Sequence, residues 1–164
     1  EVIDPATTPK FFLHWYWRLH AHVGLTRAWL QSGHMTNARR EADRLTEAAC
    51  ATADPNLQAL AWETGAQVSI AESNLNDARQ FIAYALAALK GTDIPTSAWR
   101  VHGTAWDLYR RTGQLDEAAA HRASARAHIA ALVESFQSDE PLRHALLDAA
   151  AVRRIRKEEL EVGG

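Results

Sequence analysis

Side chains suited to an interior recur along this chain at intervals of three and four. In the first stretch they are Phe12, Trp15, Tyr16, Leu19, Val23, Thr26, Trp29 and Leu30. Phe81, Ile82, Ala85, Leu86 and Leu89 repeat the spacing, and Trp99, His102, Trp106 and Tyr109 hold it with large rings. An α-helix gathers such positions onto one face. A proline inside a helix costs about 3 kcal/mol but is tolerated in its first turn. Pro55, Pro95 and Pro141 each open a new periodic segment behind side chains suited to capping: Asp54, Asp93, and Ser138 with Asp139 and Glu140. The pattern predicts helices over 10–32, 35–52, 55–72, 75–90, 95–112 and 115–136, and a shorter one over 140–151. Residues 1–9 read as an N-terminal extension, 10–151 as the domain and 152–164 as a tail. With 32 alanines, 17 leucines and few β-branched residues, the fold class is all-α.

The chain also repeats itself. Gly33, Ser73 and Gly113 lie 40 residues apart. Met35, Leu75 and Leu115 keep the same spacing two residues later, and Ala38, Ala78 and Ala118 keep it five residues later. A polar residue precedes each of those alanines: Asn37, Asp77 and Glu117. Each period reads as an antiparallel helix pair. Gly33 and Gly113 take the left-handed backbone that ends a helix, and Ser73 caps the next one. The large residue packs back on the first helix, and the alanine lets the two backbones approach. One pair cannot bury its apolar face alone, so pairs stack.

The turn sequences 33–38 (Gly-His-Met-Thr-Asn-Ala), 73–78 (Ser-Asn-Leu-Asn-Asp-Ala) and 113–118 (Gly-Gln-Leu-Asp-Glu-Ala) resemble the turn of a tetratricopeptide repeat (TPR). Trp62 stands at that family's tryptophan position, with His22 and His102 in the other two repeats. Trp29 and Tyr109 hold its later aromatic position, and Ser69 does not. The resemblance covers residues 18–136 and implies a TPR-like α-solenoid of about three antiparallel pairs plus a short C-terminal helix. The period of 40 exceeds the family's usual ~34. Cys50, Lys90 and Ala130 replace its closing proline, and Trp106 falls where the family prefers a small residue. The stretches 98–103, 139–143 and 151–154 are similar, more narrowly, to C-terminal repeat regions of large bacterial ATPase, cyclase, kinase or transcription-regulator chains.

Charge and motifs narrow the function. There are 18 basic and 20 acidic residues, a net charge of −2, where a nucleic-acid binder needs a basic excess. A single cysteine forms no intrachain disulfide and fits the cytoplasm. No run approaches the ~18 apolar residues of a membrane-spanning helix, and no signal peptide opens the chain. Glu1 at the start and Met35 as sole methionine suggest a processed chain or an excised piece. No phosphate-cradling glycine loop, H-E-x-x-H, C-x-x-C or G-x-S-x-G occurs, so no enzyme, cofactor or metal is expected. His20 and His22 point to different sides of one helix. His121 and His128 share a face but sit ~10 Å apart, too far for one ion. Cys50, in an alanine-rich helix end, reads as a small buried or half-buried thiol. The basic run 153–157, followed by Glu158, Glu159 and Glu161, reads as a solvated helical tail. The ring-rich segment 11–17 reads as core, with an exposed apolar strip at a cut repeat end as the alternative.

By the resemblance, the first helix of each pair lines a concave groove. The positions assigned there are His20, Arg27 and Gln31, then Glu63 and Gln67, then Arg100, Asp107, Arg110 and Arg111. Where the family's best-known groove grips a terminal carboxylate with lysine and asparagine, this chain carries Val23, Arg27, Thr64, Arg100 and Thr104. The expected function is a non-enzymatic interaction or regulatory module. It would bind a peptide or protein segment, an acidic one if the arginines act, or self-associate through apolar repeat ends, with no nucleic-acid or membrane partner. The alternative is a small-molecule sensor with a pocket of Trp62, Trp99, Trp106 and Tyr109.

Overall fold

The computed structural model describes residues 9–137 and 140–157, with side chains from Trp17 onward. The rings of 11–16, the capping Ser138 and Asp139, and the glutamates beyond Lys157 lie outside the described side chains. Among the described residues eight helices follow in order: α1 (Pro9–Gln31), α2 (Met35–Cys50), α3 (Pro55–Ala71), α4 (Leu75–Leu89), α5 (Pro95–Arg111), α6 (Leu115–Ser135), α7 (Pro141–Asp148) and α8 (Ala150–Lys157). Among the described residues there is no strand.

One turn is built three times. Gly33, Ser73 and Gly113 all adopt the left-handed backbone, at φ 77°, 62° and 74°. The next residue sends its N–H back five positions: His34 to the Trp29 carbonyl at 2.9 Å, Asn74 to Ser69 at 2.8 Å, and Gln114 to Tyr109 at 2.9 Å. The left-handed residue sends its own N–H to Leu30, Ile70 or Arg110 at 3.1–3.2 Å. This pair of bonds satisfies the carbonyls left free at a helix end. Glycine adopts that conformation freely, whereas a side chain there costs about 1–2 kcal/mol. Ser73 bears that cost rather than capping α4; the cap is Asn74, whose side chain accepts from the Asp77 N–H.

Between pairs, Asp54 caps α3 by accepting the N–H groups of Asn56 at 2.8 Å and Leu57 at 3.3 Å. Helices α5 and α7 start at Pro95 and Pro141 behind Ile94 and Glu140, neither of which makes a side-chain cap bond. At the start of α5 the proline acts without the expected polar cap.

Ala38, Ala78 and Ala118 are all buried, at 0, 0 and 3% exposure, which lets each second helix sit close on its first. Contacts run from each helix to the next through α6, and also link α1 to α3 and α3 to α5. The core is accordingly divided into layers. One joins Leu19 and Val23 to Leu45, Ala49, Leu57 and Leu60, across α1, α2 and α3. Another joins Ala66 and Ile70 to Ala78, Ile82, Ala105 and Leu108, across α3, α4 and α5. A third joins Trp99 and Trp106 of α5 to Ala118, Ala125, Ile129 and Leu132 of α6.

That third layer is closed by Val152 and Ile155 of α8. The expected boundary at 151 therefore falls inside a helix that belongs to the core, and the single helix expected over 140–151 is two helices. Ala149, with ψ 128°, breaks them. Ile155 fills the space beside Gly103, its Cδ1 lying 3.0 Å from where a β-carbon would stand. Arg122 of α6 donates to the Ile155 carbonyl at 3.0 Å. Trp106 occupies the position held by Thr26 and Ala66 in the other periods, where all three are buried. Its ring packs against the guanidiniums of Arg110, Arg122 and Arg154, 5.1–5.6 Å from the ring centre. Leu115 is 67% exposed, unlike its half-buried counterparts Met35 and Leu75. Leu75 packs against the layer containing Leu108 and Tyr109 of the following period.

Candidate functional site

A buried carboxylate organises the face shared by α1, α3 and α5. Glu63 of α3 is 1% exposed. Its Oε1 accepts from Thr104 Oγ1 of α5 at 2.7 Å and from Gln67 Nε2 one turn along α3. Its Oε2 is buried with no hydrogen bond among the described residues, and Arg27 Nη2 of α1 lies 3.7 Å away. Arg100 of α5 is the second cation. Burial pushes its pKa below the ordinary arginine value, the Arg27 charge pushes the same way, and Glu63 opposes both. Arg27, Arg100 and Glu63 all border one cavity. The Arg100 guanidinium also lies 5.3 Å from the Trp99 ring centre.

Three adjoining cavities run along this face. One of about 490 Å³ is bordered by His20, Val23, Leu60, Arg27 and Arg100. The next, about 440 Å³, shares both arginines and reaches Glu63, Gln67, Trp99 and the α8 side chains Arg154 and Ile155. The last, about 240 Å³, adds Asp107 and Arg111. Of the nine residues assigned to a groove, the structure brings His20, Arg27, Glu63, Gln67, Arg100, Asp107 and Arg111 to these cavities. Gln31 and Arg110 border none of the three: Gln31 is exposed near the end of α1, and Arg110 lies against Trp106. Asp107 takes Arg111 Nε at 3.1 Å and Arg154 Nη1 at 3.6 Å, so this acid ties α8 to α5.

Of the four rings grouped as a sensor pocket, Trp99, Trp106 and Tyr109 share the third core layer and Trp62 lies apart from them. Trp62 packs on Phe81 and Tyr84 of α4, Trp106 is in the core, and Tyr109 stacks on His121. Trp99 alone of the four borders the groove cavities.

A second constellation was not legible from local spacing. His102 of α5 enters between His121 and His128 of α6. Its Nδ1 lies 2.9 Å from His121 Nδ1, and its ring lies 5.7 Å from that of His128. Burial pushes the His102 pKa down to about 4, helped by the two neighbouring histidines, and burial lowers His121 as well. The signal was the repeat itself. Residues 19 apart across each pair form the same contact: His22 with Glu41 at 2.7 Å, Trp62 with Phe81, and His102 with His121. One packing position thus carries an ionic, an aromatic and an imidazole pair in turn.

Among the described residues, no group of three or more His, Cys, Asp or Glu is placed to hold a metal ion. Cys50 is exposed rather than buried or half-buried. No described helix is long and apolar enough to cross a membrane. No protein-family model, curated protein or solved structure matches the chain.

Proposed function

We propose that this chain is a non-enzymatic interaction module of the TPR type, an open α-solenoid of three helix pairs closed at its C-terminal end by α7 and α8. Its inner face binds a peptide or protein segment that presents a carboxylate to Arg27 and Arg100. On its narrower resemblance we read the module as a regulatory part of a larger cytoplasmic bacterial signalling protein. The thrice-built turn and the contacts that run from each helix to the next support the solenoid.

The observation that carries the binding reading is the charge arrangement around Glu63. Arg27 lies 3.7 Å from the buried Glu63 carboxylate, Arg100 borders the same cavity, and one Glu63 oxygen has no hydrogen bond among the described residues. A guanidinium offers a planar fork of donors that matches a carboxylate, and a partly desolvated site strengthens that pairing. The groove mixes apolar Val23, Leu60 and Trp99 with these charges, as suits a peptide better than a purely ionic ligand. The small-molecule alternative is less well supported, because Trp62 lies apart from the other three rings and, of the four, Trp99 alone borders the groove cavities.

The test is an array of acidic peptides probed with the wild-type chain and with Arg27→Glu and Arg100→Glu variants. Binding should fall at least tenfold in each variant and weaken with added salt. Equal binding of every captured peptide by wild type and both variants would remove the groove assignment.

A further inference from the structure

The face of α1 turned away from the groove differs from its counterparts. Ala21, Gly24, Leu25 and Ala28 are exposed, Leu25 by 46%, and Trp17, 66% exposed, extends the same stripe. Forty residues on, Leu57, Ala61, Thr64, Gly65 and Val68 are all buried. Eighty residues on, Ser97, Val101, Thr104, Ala105 and Leu108 are buried too. Five positions of one helical stripe are therefore interior in two periods and exterior in the first.

The two buried stripes show what covers this face. On α3 it is α2, whose Leu45 and Ala49 pack with Leu57 and Ala61, and whose Ala38 and Ala42 pack with Val68. On α5 the Val101, Ala105 and Leu108 part of the stripe is covered by α4, whose Ala85 packs with Val101 and whose Ala78 and Ile82 pack with Ala105 and Leu108, while Ser97 and Thr104 donate to Asn56 and Glu63 of α3. Both covering helices present small and branched apolar residues at i, i+4 and i+7. The α1 stripe has small residues at three of its five positions, and nothing lies within 4 Å of where a Gly24 β-carbon would stand. A helix backbone can approach it closely.

We propose that this α1 face docks an amphipathic helix bearing that same stripe, supplied by another polypeptide segment. A second folded copy has no uncovered second-helix stripe to offer. Its α2 and α4 stripes are used internally, and Ala118, Ala125 and Ile129 of α6 are buried against α5 and α8. The site adjoins the groove at Gly24, which also borders the first cavity, whereas Leu25 and Ala28 border none of the three.

The probe is a fluorescein-labelled, hydrocarbon-stapled peptide of residues 35–50 carrying Cys50→Ser, stapled on the side away from Ala38, Ala42, Leu45 and Ala49. The staple offsets the cost of nucleating so short a helix. Its anisotropy should rise saturably with the full chain. Leu25→Glu and Ala28→Arg, both on the exposed stripe, should each weaken binding at least tenfold with helical circular dichroism unchanged. Arg27→Gln should bind within twofold of wild type. Absence of saturable binding, equal binding by the two stripe variants, or loss with Arg27→Gln would overturn the proposal. So would sedimentation of the chain alone as a dimer that Leu25→Glu dissociates, since a second copy would then own the face.

Discussion

Replacing Glu63 by alanine should be among the most damaging single changes in this chain. The carboxylate accepts from Thr104 and Gln67 and is the acid adjacent to Arg27. Its removal strands the Thr104 hydroxyl, which is 8% exposed, and leaves Arg27 and Arg100 repelling each other without a counter-charge. A hydrogen bond to a charged acceptor contributes roughly 1.5–3 kcal/mol. Breaking a buried ionic set by deleting one member costs about 3–5 kcal/mol. Arg27 is one-third exposed and 3.7 Å away, which favours the lower end, so Glu63→Ala should cost about 3 kcal/mol. In a protein of this size that lowers Tm by roughly 6–12 °C. Urea unfolding followed by circular dichroism should show a lower midpoint at an unchanged slope. Glu63→Gln keeps the volume and the Thr104 bond and should cost about half as much. A cycle with Thr104→Val should return a coupling of roughly 1 kcal/mol or more. A Glu63→Ala stability within about 0.5 kcal/mol of wild type, or no coupling to Thr104, would refute the view that this carboxylate holds α1, α3 and α5 together.

Further consequences follow from other positions. Ser73→Gly should stabilise the chain by about 1 kcal/mol, read as a raised urea midpoint, because it relieves a left-handed serine and leaves the Asn74 cap intact. His102 has a folded pKa of about 4 against about 6.5 unfolded, so the unfolded chain binds a proton first as pH falls. Stability should therefore drop between pH 6.5 and 4, by about 1–2 kcal/mol after allowing for the ring's partial exposure, and His102→Trp, which copies Trp62, should flatten that dependence. Ile155→Ala should cost about 2–3 kcal/mol and act locally: amide exchange in α8 should accelerate strongly while α3 keeps its protection.

The helix pairs were legible because three signals agreed: apolar periodicity, prolines at helix starts, and a 40-residue recurrence of the turn. The first six predicted helices match α1–α6 to within two residues at each end. The C-terminal end was not legible for a physical reason. Ala149 breaks α7 from α8 with no glycine or proline to mark it, and α8 shows only Val152 and Ile155 as apolar anchors within a basic run. Arg27, Glu63, Gln67 and Arg100 were legible as one face because each projects from the same side of a first helix. That Glu63 is interior, held by Thr104 from the next pair, depends on contacts between periods, which local spacing does not encode. The His102 and His121 pairing escaped for the same reason, although the 19-residue rule shared with His22 and Glu41 predicts it once the period is known.

The most direct test of the stacked arrangement uses the one native cysteine. Cys50 is exposed at the end of α2, and Ala130, exposed on α6, is its counterpart two periods later. Spin labels at Cys50 and at Ala130→Cys can be measured by double electron–electron resonance. Helices in an open row step about 8–10 Å at each packing contact, so the two labels should lie ~20 Å apart or more, with one narrow distribution. A separation near ~10 Å, the spacing of helices packed face to face, would mean that α2 and α6 meet in a closed bundle, and the open groove would not exist.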